Sequence, residues 1–131
     1  SSLPLQSSGV QAGVASVHAA AATWSDTDWA SLLSYYDGLT EIAPSPVVAI
    51  NRAIAVSMIR GPEAALAELD GLEAYKTIER YLPFHMTIGD LKMRSGQRAA
   101  AREAFARALT LPMSQQERRL VEAKLNRAAD A

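Results

Sequence analysis

The stretch GDLKMRSGQRAAAREAFARALTLP, residues 89–112, sets two glycines seven positions apart and then Ala101, Phe105 and Ala108 at helical steps. Helices pack closely only where facing side chains are small, so Gly89 and Ala101 mark the close-approach points of a predicted antiparallel pair. Gly96 supplies the left-handed turn between the two helices. Phe105 fills the space between this pair and the next, Ala108 admits the following helix, and Pro112 ends the unit.

The same ruler fits elsewhere, as a stack of helix pairs requires. Leu32, Tyr36, Leu39 and Pro44 match the second helix of an earlier unit. A middle unit aligns after a one-residue deletion at its turn, giving Ala53, Gly61, Ala65, Leu69 and Leu72. These spacings resemble the tetratricopeptide-repeat (TPR) consensus. The resemblance implies an all-α, TPR-like superhelix of about three helix pairs with a C-terminal capping helix, spanning residues 10–131 after a flexible lead-in at 1–9. The alternative is an irregular helical bundle.

Breakers and caps divide the chain into seven predicted helices. An Ala-rich helix covers 10–22. Ser25 or Thr27 can cap the next, DWASLLSYYDGLTEIA, and Asp28 suits its positive end. That helix stops before Pro44 and Pro46, and Ser45 can cap PVVAINRAIAVSMIR, which begins with a proline in the first turn. Its apolar residues run almost all round, so it should be the most buried helix. Gly61-Pro62 starts EAALAELDGL, and a less regular EAYKTIERYLP leads into a fifth helix ending near Gly96. QRAAAREAFARAL stops before Pro112. The last helix opens on Ser114 and Glu117, a capping-box spacing, and Arg118, Arg119, Glu122, Lys124 and Arg127 make it look like a polar cap.

Composition agrees with helices. Hydrophobic residues make up 49% and aromatics 6% of 131 residues, too few β-branched and aromatic side chains for a sheet protein. The length suits one domain with a real core. With no cysteine, thiol catalysis, thiolate metal sites and disulfides are excluded, a composition compatible with a reducing cytoplasm. No apolar run reaches the roughly 20 residues of a membrane span. SSLPLQSSG lacks the basic start of a signal peptide. The net charge of −1 hides an asymmetry: residues 1–75 hold two Lys/Arg against eight Asp/Glu, and 76–131 hold eleven against six. Such polarity can steer a partner, or simply reflect solvated helix faces. The basic half lacks the interleaved aromatics of a nucleic-acid binder, so direct DNA binding is not expected.

Chemistry-bearing motifs are sparse. His18 and His85 have no second ligand at metal spacing, and Asp26 and Asp28 are explained by capping. No phosphate loop, nucleophile elbow or calcium loop occurs. The expectation is a protein without enzymatic activity, metal or cofactor.

VQAGVASVHA, TDW, YYDGL, APSPVVAINRAIAV, GPEAALAELD and RSGQRAAAREAFARAL follow one another in the order found in a narrower group. Together they resemble the C-terminal extension of a subgroup of bacterial extracytoplasmic-function (ECF) sigma factors, over residues 10–128. The resemblance implies an interaction domain that modulates transcription initiation, either excised from such a factor or standing alone. Its expected partners are sigma-factor core domains, RNA polymerase or a regulatory protein, in the cytoplasm and away from membranes. A generic peptide-binding TPR adaptor and a small-molecule sensor are the alternatives.

The TPR resemblance further implies that the first helix of each pair lines a concave groove. Asn51 falls near a position that holds a ligand's backbone or carboxylate in some TPR domains, and Arg52, Lys92 and Arg94 could add positive charge. Equally, Asn51 could satisfy a buried backbone group and Arg52 could pair with an acid of an adjacent helix. Trp24 and Trp29 either close one end of the solenoid or anchor the sigma-factor domains, since aromatics dominate interface hot spots.

Overall fold

The computed structural model describes residues 28–74 and 76–129. The expected lead-in at 1–9, the Ala-rich helix at 10–22, Trp24, His18 and Asp26 lie outside the described residues. Within them every regular element is helical. Six α-helices follow in order: α1 (Trp29–Ile42), α2 (Pro46–Arg60), α3 (Pro62–Leu69), α4 (Leu82–Arg94), α5 (Arg98–Ala108) and α6 (Gln115–Ala129). Two 3₁₀ turns, Asp70–Ala74 and Lys76–Arg80, occupy the irregular stretch between α3 and α4. The expected fourth helix therefore shortens. Gly71 is a poor helix residue, and the chain tightens there into i→i+3 bonding instead of continuing.

The boundaries follow local chemistry. The cap of α1 is Asp28, in place of the anticipated Ser25 or Thr27: its Oδ1 accepts from Ser31 N at 3.1 Å and its Oδ2 from Ser31 Oγ at 2.6 Å. Ser45 Oγ accepts from Val48 N at the start of α2, where Pro46 sits in the first turn. Gly61, at φ +99°, both ends α2 and opens α3. Gly96, at φ +82°, closes α4: Gly96 N–H donates to Met93 O and Gln97 N–H to Lys92 O, the paired bonds of a Schellman turn. Ser114 and Glu117 exchange side-chain and backbone bonds at 2.9 and 3.0 Å, a complete capping box for α6.

Each helix packs on the next, and α2 also touches α4 across α3. The larger core runs through α1–α4 and centres on Leu33, Ile50, Ala53, Val56, Ala65, Leu69, Ile78, Phe84 and Leu91. Trp29 packs against it as a partly buried residue. A second cluster joins α5 to α6 through Ala101, Phe105, Ala108, Val121 and Ala128. The close-approach residues of both units, Ala53, Ala65, Ala101 and Ala108, are fully buried. Gly89 lies beneath the ring of Phe105, so Phe105 also fills the space inside its own hairpin. The apolar helix α2 shares the buried role with α4, because Val47, Met58 and Ile59 remain exposed.

Candidate functional site

Three helices that are not consecutive along the chain bring one face each to a shared groove of about 470 Å³. α2 contributes Ile54, Ser57 and Met58, spaced i, i+3, i+4. α4 contributes Thr87, Asp90, Leu91, Met93 and Arg94, mostly one helical stripe, and α6 contributes Lys124 and Arg127. Phe105 of α5 closes the floor. The floor is thus apolar, with its charges at the walls.

Those charges are held in two different ways. Arg94 reaches from α4 to the last turn of α2, where Nη1 donates to Ser57 Oγ at 2.8 Å and Nη2 to Ser57 O at 3.1 Å. It thereby meets the negative end of α2 with a cation. Ser57 Oγ in turn donates to Ile54 O at 2.6 Å, which satisfies the hydroxyl of a serine only 2% exposed. Lys124 Nζ bonds Asp90 Oδ1 at 2.8 Å, linking α6 to α4 and neutralising the carboxylate of the groove. Neither Arg94 nor Arg127 forms an ion pair with a carboxylate among the described residues.

The expected binding residues separate in space. Arg94 lines the groove, and Asn51 lies half-buried one turn before Ile54 on the same face of α2. Arg52, the adjacent residue, points elsewhere. Its Nε donates to Asp37 Oδ1 of α1 at 2.6 Å and its Nη1 to Glu68 of α3, so one guanidinium ties three helices together. The hydrogen bond that Arg52 donates to Asp37, aided by the charges of both carboxylates, raises the Arg52 pKa still further. Of its two sequence readings, pairing with acids of adjacent helices is the one observed.

Lys92 lines a second cavity of about 420 Å³, together with Glu79, His85, Glu103 and Arg107. Two residues apart on a helix means roughly 200° of rotation, so Lys92 and Arg94 face opposite ways. His85 is buried, with Nε2 2.8 Å from Glu79 O at the second 3₁₀ turn. Among the described residues no three His, Asp or Glu side chains gather as a metal site. No described helix is long and apolar enough to cross a membrane.

Asp90 and Met58 were not singled out by sequence, and Lys124 and Arg127 were read only as part of a polar cap, not as groove residues. Lys124 and Arg127 sit at i, i+3 on a helix that reads as a polar cap, and that spacing was the available signal.

No family model matches this chain. It is similar to an uncharacterized protein of Rhizobium meliloti, with 38% identity over 120 residues covering 92% of the chain. The chain spans only 28% of the length of that relative.

Proposed function

We propose that this chain is a non-enzymatic interaction domain of TPR-like architecture, of the kind appended to an ECF sigma factor, and that its groove receives a partner in transcription initiation. One observation carries the interaction reading: α2, α4 and α6 line the same groove although α3 and α5 separate them in sequence. Alternate helices share an inner surface when helix pairs stack with a constant rotation. The recurrence of buried small residues at 53 and 65, then at 89 and 101, supports the same stacking.

The transcription reading rests on the run of phrases from residue 10 to residue 128. The greater length of the Rhizobium meliloti relative is compatible with it, leaving room for the promoter- and polymerase-binding regions of such a factor. In this reading the domain works in the cytoplasm by protein contact. The test is calorimetric titration of the 131-residue chain with the two core domains of the ECF sigma factor from its own source, and then with core RNA polymerase. Saturable binding to either supports the proposal, and heats indistinguishable from dilution for both overturn it. A generic peptide adaptor is the second reading, favoured by the apolar floor and cationic walls of the groove, which do not require a transcription factor.

A further inference from the structure

We infer that the α2–α4–α6 groove selects an acidic segment of a protein partner, one that buries a long apolar side chain such as Leu or Met between α2 and α6 and offers carboxylates to Arg94 and Arg127. The inference rests on the interaction reading above and specifies the chemistry of its partner.

Charge decides the sign. Asp90, the acid of the groove, is already paired with Lys124. That leaves two guanidinium groups on the walls, both exposed side chains. Arg94 spends two N–H bonds on Ser57, and a guanidinium carries five donors in a planar fork. Anchoring by Ser57 presents the remaining donors without the entropy loss of a free arginine, as bidentate carboxylate recognition favours. Arg127 stands across the groove on α6 with no carboxylate bonded to it among the described residues.

Apolar surface decides the class of partner. It extends past the cavity: Met58 is 40% exposed at the α2 wall, and Leu120, one turn before Lys124 on the same face of α6, is 54% exposed. A small ligand would cover the cavity and leave this strip wet, whereas a chain segment covers both. The contrast with Arg52 is informative, because that arginine already has two carboxylates from its own chain.

The experiment uses fluorescence anisotropy of the 131-residue chain with two pools of short labelled peptides. One pool carries central Leu or Met flanked by Glu and Asp, and the other carries the same centre flanked by Lys and Arg. The acidic pool is expected to bind and the basic pool not to. Arg127→Gln is expected to weaken binding by roughly tenfold, the loss of one charge-assisted contact. Met58→Glu, at an exposed position that folding does not need, should weaken it at least as much, and circular dichroism should show both variants folded. Equal binding of the two pools, or acidic binding indifferent to both substitutions, overturns the inference. A shift in melting temperature by octanoate without retention of either pool also overturns it and assigns the cavity to a small molecule. The two levels separate cleanly. Sigma-core binding that acidic peptides do not compete with defeats the inference alone, and acidic-peptide binding without sigma-core or polymerase binding defeats the transcription reading alone.

Discussion

The ring of Phe105 occupies the place that a β-carbon on residue 89 would need: a Cβ built on Gly89 would lie 2.3 Å from Phe105 Cε1. Helix α4 therefore meets α5 at backbone distance. Gly89→Ala should destabilise the protein by roughly 1–2 kcal/mol, since the overpacking cost exceeds the gain in helix propensity. Phe105→Leu removes the obstacle, so in the double variant the two losses should total less than their sum. Urea unfolding of the four proteins measures this, and strict additivity would show that the contact does not limit the packing.

Gly96 presents the opposite case. A β-carbon there meets nothing within 4 Å, yet its φ is +82°. Gly96→Ala should cost about 1 kcal/mol through backbone strain alone, and Gly96→Asn less, because Asn tolerates the left-handed region. The order Gly, Asn, Ala in urea midpoint checks it. An alanine variant as stable as the parent would contradict the turn geometry.

Arg52 is committed to Asp37 and Glu68, at a side-chain exposure of 25%. Both acids are more exposed than the arginine, so water screens the pairs strongly. Arg52→Met should lower stability by only about 0.5–1 kcal/mol, a difference that shrinks as salt is added. Partner affinity should stay within about twofold, against the roughly tenfold loss expected of Arg127→Gln. A large affinity loss in Arg52→Met would move the binding surface to the α1–α3 side.

The Asp28 cap gives the protein an acid-sensitive end. Hydrogen bonding from the Ser31 hydroxyl, then from the Ser31 amide, holds its pKa below the ordinary 3.8. A carboxylate with a depressed folded value stabilises above its unfolded pKa and loses that contribution as pH falls through the folded one. Melting temperature should therefore drop between about pH 5 and pH 2 by more in the parent than in Asp28→Asn, which caps without titrating. Matching curves would remove Asp28 from the account.

Much of the architecture was legible because its signals are local. Pro46, Gly61-Pro62, Gly96 and the Ser114–Glu117 pair act on their own backbone within a turn, so helix ends could be placed from them. The second 3₁₀ turn falls in the stretch read as irregular, whereas most of the first was read as the end of the fourth helix, since the balance between i→i+3 and i→i+4 bonding is not set by periodicity. For the candidate site, Arg94 lines the groove and Asn51 sits one turn before Ile54 without lining it, whereas Lys92 lines another cavity and Arg52 pairs with acids of α1 and α3. Periodicity places residues on faces of their own helix and leaves open which neighbour each face meets.

The amino-acid sequence by itself determined that the described chain is helical, where its helices turn, and that small residues recur where backbones must touch. Tertiary structure decided which cations stay available. Arg52 and Arg94 look alike as residues near an apolar stripe, but one lies between two carboxylates contributed by α1 and α3, and the other rests on a serine at the end of α2. The physical reason is distance along the chain. Those partners are 15, 16 and 37 residues away, far beyond the reach of any helical period, and only packing brings them within hydrogen-bonding range.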